Sequence, residues 1–226
     1  RTSLNWKTLA AGARERADMA QGRAGQGTDG GLNGLLSISL SLGAAAGPAE
    51  ASPLRKGPYL QGLGTTGVTV KAELERGAPA KLEVYEAGTE KVVGSAESPE
   101  NWTFHAMRVE GLKPGSRYEY RVLTGGQRSE LGRFTTAPEG DGPFRFQIYG
   151  DSRNDHAAHA AVVRAMLARP ADFLINTGDM VHSGIEPGDW ETFFSIENDM
   201  LRDRCVFAAV GNHELYKGDP AGGVAF

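Results

Sequence analysis

From residue 57 onwards, apolar and polar positions follow two regimes. Between Gly57 and Ala137 they alternate: Val68, Val70, Ala72 and Leu74 are interleaved with Thr69, Lys71 and Glu73. Leu82 and Val84, then Tyr118, Tyr120 and Val122, repeat the pattern. A period of two puts one face of each strand in a core and the other in water. Gly77-Ala78-Pro79, Gly94-Ser95, Lys113-Pro114-Gly115 and Gly125-Gly126 break the runs as turns. About 80 residues holding roughly seven short strands predict a two-sheet β-sandwich. Beyond the linker Pro138–Pro143 the apolar positions become continuous, at Phe144 to Tyr149, Phe173 to Ile175 and Val206 to Val210. Uninterrupted β-branched and aromatic runs predict buried parallel strands. Between them, Asp155 to Leu167 reads as a helix capped by Asn154 or Asp155. Pro187 to Leu201 reads as a second, burying Trp190, Phe193 or Phe194, and Met200. Strands alternating with helices predict an α/β layer after the all-β part.

Residues 1–52 follow neither regime. Arg14 to Gly34 is rich in Gly, Ala, Arg and Gln without a sustained period, and Leu35 to Ala46 is an apolar stretch of small residues. That stretch is too short for a transmembrane helix. Ala49-Glu50-Ala51 supplies a small-x-small cleavage pattern, with Met19 as a start and Arg23 as the positive charge of a signal peptide. A disordered leader is the other reading. No cysteine follows the apolar run, so no lipid anchor is expected and the protein is expected to be secreted or periplasmic.

A net charge of −4 over 226 residues, with no Lys- or Arg-rich run, argues against nucleic-acid binding. The one cysteine, Cys205, opens an apolar run and reads as a small buried hydrophobe. Trp102 and His105 read as packing and surface residues.

Each parallel run is followed by side chains with metal-ligating oxygen or nitrogen: Gly150-Asp151, Thr177-Gly178-Asp179 and Gly211-Asn212-His213-Glu214. Ligands of open α/β sheets bind outside the carboxyl ends of the strands. Two metal ions about 4 Å apart can activate water and clamp a phosphoryl group in an in-line displacement. Such a pair needs a carboxylate that bridges both ions.

This ordered trio resembles the calcineurin-like metallophosphoesterase superfamily, with its Gly-Asp-x, Gly-Asp-x-x and Gly-Asn-His-Asp/Glu motifs. The sandwich ahead of it, with Leu112-Lys113-Pro114-Gly115-Ser116-Arg117-Tyr118 similar to a fibronectin type III tyrosine corner, points to the purple-acid-phosphatase-like branch. The resemblance implies three regions: a leader (1–52), a fibronectin type III-like sandwich (57–137) and the N-terminal half of an α/β metallophosphoesterase sandwich (144–226). It implies a phosphomonoesterase with Asp151 as a terminal metal ligand, Asp179 as the bridge and Asn212 on the second metal. His213 would sit near the leaving group or a phosphate oxygen, with Glu214 behind it to orient its ring. Mixed O and N donors suit Fe, Mn or Zn.

The chain departs from the pattern in places. Ser152-Arg153 follow Asp151, so the family's D-x-H histidine is absent. Arg153 and Asn154 are expected to contact phosphate, or else to form a helix-start loop with a salt bridge. His182 occupies the place of the purple enzymes' tyrosine ligand. It reads either as an imidazole ligand or as a solvent-facing residue, and without the phenolate no purple colour is expected. His156 and His159 share a helix face, with an outer contact to the site expected for His159. No Val-x-x-His or Gly-His-x-His follows the Gly-Asn-His motif in this chain. The expectation is therefore an incomplete second metal site, inactive as it stands. The expected partner is a small phosphorylated substrate; the sandwich reads as plain scaffolding, or else as a rigid spacer, a polymer-binding module or the surface of a homodimer. The alternative is a secreted binding or adhesion protein whose phosphatase domain is degenerate.

Overall fold

The computed structural model describes residues 53–141 and 143–215, so the signal-peptide reading of residues 1–52 lies outside the described residues. Eight strands build the first part: β1 (Leu54–Gln61), β2 (Val68–Leu74), β3 (Ala80–Glu86), β4 (Val92–Ser98), β5 (Phe104–Val109), β6 (Arg117–Thr124), β7 (Gln127–Arg128) and β8 (Gly132–Thr135). They form two antiparallel sheets, β1-β2-β5 and β4-β3-β6-β7, with β8 also paired to β6. The two-residue β7 forms because Gly125-Gly126 turns the chain straight back on β6.

The alternating pattern does what it predicts. Val68, Val70, Ala72 and Leu74 are buried while Thr69, Lys71 and Glu73 are only partly so. Leu82, Val84, Tyr120 and Val122 meet them from the opposite sheet. The tyrosine corner closes: the Lys113 N–H donates to Tyr118 Oη at 2.8 Å. His105 differs from its surface reading. It is 1 % exposed, within hydrogen-bond distance of Ser98 Oγ (2.8 Å) and the Trp102 carbonyl (2.9 Å), whereas Trp102 stays exposed. Its position in β5 points inwards, and these two polar partners offset the cost of burying the ring.

The second part has three parallel strands, β9 (Phe146–Tyr149), β10 (Phe173–Asn176) and β11 (Cys205–Ala208), in the order β11-β10-β9. Helix α1 (His156–Leu167) connects the first two and α2 (Pro187–Asp203) the last two. The Asp155 side chain accepts the Ala158 N–H at 2.9 Å and caps α1. Pro187 opens α2, where its missing N–H costs nothing. Tyr149, Leu174 and Val206 point from the sheet into one core with Val162, Phe193 and Leu201 of the helices.

The expectation of fully buried strands needs correcting. Both helices pack on the same face, and on the other Phe146, Ile148 and Phe207 remain 44 %, 47 % and 45 % exposed. Phe146 stacks on Phe173 (centroids 5.5 Å apart) and Phe207 meets Phe173 edge-on at 5.6 Å, so the open face is a continuous aromatic surface.

The two parts share their cores. Tyr59 of β1 lies in the helix–sheet core, 5.0 Å from the Phe194 ring, while Cys205 of β11 packs into the sandwich. Burial pushes the Cys205 thiol up to about 11. Tyr120 Oη donates to the Arg202 carbonyl at 2.8 Å, and the Arg133 N–H to Asp203 Oδ1 at 3.1 Å.

Candidate functional site

Register brings the chemistry together. Asn176 pairs with Tyr149 on one side and Ala208 on the other, so the three strands end level at one edge. The ladder continues past them through Thr177 N–H to the Tyr149 carbonyl (2.9 Å) and Ala209 N–H to the Asn176 carbonyl (2.8 Å). Asp151 and Asp179 then leave the strands with φ of 58° and 53°. Among the described residues they are the two non-glycine residues in the left-handed region. Such conformations persist where surrounding contacts hold them, and they cluster at functional sites. Gly178, at φ 94°, passes so close to Gly211 that a side chain would strike the Gly211 backbone.

Arg153 lies at the centre of the site. Its guanidinium contacts Asp151 Oδ1, lies 3.7 Å from Asp179 Oδ2, and comes within 2.6 Å of His213 Nε2. Two carboxylates and one imidazole therefore converge on a single cation. Asp151 Oδ1 is buried against that guanidinium but accepts no hydrogen bond in favourable geometry. The His213 Nδ1–H donates to the His182 carbonyl at 2.6 Å, which leaves the Nε2 lone pair facing Arg153. The ring is thereby fixed in tautomer and direction.

Glu214 does not perform the ring-orienting task expected of it. It is fully buried and takes backbone N–H groups: Asp179 (2.8 Å) and Gly211 (2.7 Å) on Oε2, Met180 (2.8 Å) and Val181 (3.3 Å) on Oε1. The His182 carbonyl orients His213 instead. The reason is chain direction: the turn at 212–214 points the Glu214 side chain back under the Asp179 loop.

His159 is also placed away from the site. It is 3 % exposed, inside the core, with Nε2 2.7 Å from Glu197 Oε1. Tyr149 Oη donates to the other Glu197 oxygen at 2.6 Å. The α1 face that carries His159 also carries Val162, Val163 and Met166, and it turns towards α2. This buried Tyr149–Glu197–His159 chain has no signature in the sequence, where Glu197 is one more polar helix position. Burial and the neighbouring Glu197 raise the Tyr149 hydroxyl pKa well above its usual value. Asn154, His156, His182 and Asn212 are exposed, with Asn212 and His182 at the rim of the site and His156 on the first turn of α1.

The donor set fits a metal cation in kind: two carboxylates, a carboxamide and imidazole nitrogens suit Mn, Fe or Zn. Asp151 Oδ1 is an oxygen with ligating capacity to spare. Among the described residues no group of three or more His, Cys, Asp or Glu is gathered closely enough to hold a metal. The fit therefore belongs to the Asp151–Asp179 pair and not to a complete coordination shell.

Residues 144–225 match the family "Calcineurin-like phosphoesterase". Among solved structures, PhoD superposes with a TM-score of 0.64 at 15 % identity, over 75 % of this chain and 41 % of PhoD. Purple acid phosphatase PPD1 from yellow lupin (Lupinus luteus) seeds superposes with a TM-score of 0.58 at 15 % identity, over 71 % of this chain and 36 % of that enzyme. The chain thus spans well under half the length of either protein. No curated protein matches it at a significant level. From residue 144 onwards, behind a two-sheet β-sandwich, the chain is thus similar in sequence to the calcineurin-like phosphoesterases, and it shares its fold with PhoD and the lupin purple acid phosphatase.

Proposed function

We propose that this protein hydrolyses phosphate monoesters at a dinuclear metal centre seated on the strand-end loops. The observation that supports this most is the convergence of Asp151, Asp179 and His213 on one cationic position. Asp151 would hold one ion, Asp179 both, and Asn212 the second, with His182 as a further donor at the rim. Bound metals supply Lewis-acid charge to the phosphoryl oxygens and a nucleophile at neutral pH. Arg153 donates its N–H groups to the phosphate, and Asn154 stands beside it as a second contact. His213 Nε2 faces the same space; it accepts a proton there as neutral imidazole, and passes one to a leaving oxygen once both ring nitrogens are protonated.

The test is hydrolysis of p-nitrophenyl phosphate by the full-length protein, before and after chelation and reloading with Mn2+, Zn2+ or Fe. Turnover that returns with metal is expected. Metal-independent turnover, or none at any loading, would overturn the reading. Faster hydrolysis of bis(p-nitrophenyl) phosphate would make the enzyme a diesterase. The absence of a three-donor group among the described residues favours a second reading, a binding protein with a degenerate phosphatase domain. A full-length protein that binds no metal would select it.

Export is proposed with the activity, from the apolar run at Leu35–Ala46 and the Ala49-Glu50-Ala51 pattern. Among the described residues no helix is long and apolar enough to cross a membrane. N-terminal sequencing of the mature protein should find a start just after Ala51, and an intact leader would overturn export.

A further inference from the structure

Glu214 lies beneath the site and touches none of the groups that would meet metal or phosphate, yet it is the best-satisfied acceptor there. Its two oxygens gather four backbone N–H groups from two separate loops, 179–181 and 211. Oε2 is shared between the Asp179 N–H at 2.8 Å and the Gly211 N–H at 2.7 Å, so a single atom sets the spacing of the two loops. Two further bonds reinforce the seam: the His213 N–H donates to Asp179 Oδ1 at 3.2 Å, and the Gly184 N–H to the His213 carbonyl at 2.7 Å. The packing leaves no slack. A side chain at Gly211 would strike both the Asp179 carboxylate and Glu214 Oε2, and one at Gly184 would strike the Glu214 backbone.

This arrangement also explains how Asp179 keeps a positive φ that strains a non-glycine residue. A carboxylate accepting several N–H bonds is a strong, charge-assisted anchor. Held so, the Asp179 side chain presents Oδ2 towards Arg153 and the cation position while Oδ1 is tied down.

We infer that Glu214 is the positioning residue of the metal centre: through the Asp179 and Gly211 amides it sets the separation between the Asp179 carboxylate and the Asn212 amide, and so the affinity for metal. The inference rests on the metal-site reading above. In Glu214→Gln the shape is retained, but one oxygen becomes an NH2 group facing N–H donors, and the charge is lost.

The measurement is Mn2+ affinity by equilibrium dialysis and metal analysis, on full-length wild type, Glu214→Gln and Leu82→Ala. Leu82 is a sandwich core residue, so Leu82→Ala reports what plain destabilisation does to affinity. The expected result is a 10- to 100-fold loss in Glu214→Gln, the range found when an outer partner of a metal ligand is removed, with Leu82→Ala within about twofold of wild type. Equal affinities for Glu214→Gln and wild type, or equal losses in both variants, would overturn the role. Should Glu214→Gln fail to fold, hydrogen exchange on metal-free wild type decides. The Asp179, Met180 and Gly211 amides are expected to exchange slowly, and exchange at solvent rates would overturn the seam. Wild type that binds no Mn2+ would overturn the metal-site reading itself, and with it this role, while slow exchange would still report the seam.

Discussion

The two parts of the chain cover their apolar surface differently. In the sandwich, residues such as Val70, Leu82 and Tyr120 on facing sheets are fully buried against each other, and the outward positions of β2 are polar. In the parallel sheet, Leu174 and Val206 are buried under the helices while Phe146 and Phe207 on the reverse face remain about half exposed. An antiparallel sandwich supplies its own second layer, whereas parallel sheets are stable when both faces are covered. The layer that is less self-contained also carries the candidate site. Its strand ends open into loops whose backbone is held by few, specific contacts, such as those made by Glu214 and Ser152. A rigid support thus stands next to a tuned site, which is how loops acquire function without loss of precision.

The largest effect expected from breaking this comparison is Asp179→Asn in the full-length protein. It should lower metal-dependent hydrolysis by at least about a hundredfold, the scale on which lost charge stabilisation is felt, with the melting temperature nearly unchanged. Steady-state kinetics beside a thermal melt would check it, and retained turnover would remove Asp179 from the centre. In the sandwich the order reverses. Leu82→Ala should cost about 2–5 kcal/mol of stability, read by urea denaturation, with metal affinity unaltered. Between the parts, Tyr120→Phe removes the bond to the Arg202 carbonyl and should cost about 0.5–1.5 kcal/mol. A null result would mean that this contact does not couple the two cores. Substituting serine for Phe146 and Phe207 should reduce dye binding by the aromatic face with a stability change within about 0.5 kcal/mol, as for exposed positions. A loss of several kcal/mol would mean that this face is covered in the full-length protein. The smallest effect concerns Cys205. With its thiol pushed up to about 11 by burial, it should resist alkylation at pH 8 in the folded protein and react once urea unfolds the chain.

Much of the site is legible in the sequence, because Asp151, Asp179 and Asn212 each follow an apolar run that has to end as a strand. Parallel pairing then leaves the three little choice but to share an edge. The roles of Glu214 and His159 are not legible in this way. A glutamate beside a histidine suggests contact between neighbours, yet backbone direction at 212–214 sends the carboxylate to the far side of the turn. Histidines three apart on a helix suggest a shared outlook on the cleft, yet α2 packs over His159 and offers it Glu197. Arg153 is legible as a cation near phosphate, but not as the group on which two carboxylates and a histidine converge.

Local pattern therefore determined the two regimes of strand, the caps and turns, and the order of the candidate site residues, since periodicity and turn chemistry act over a few positions. Tertiary structure decided which sheet face is covered, how β1 and β11 exchange side chains between the cores, and which carboxylate grips which loop. Those outcomes depend on where remote segments meet and on which backbone N–H groups lack partners there, and neither quantity is written in any short stretch of sequence.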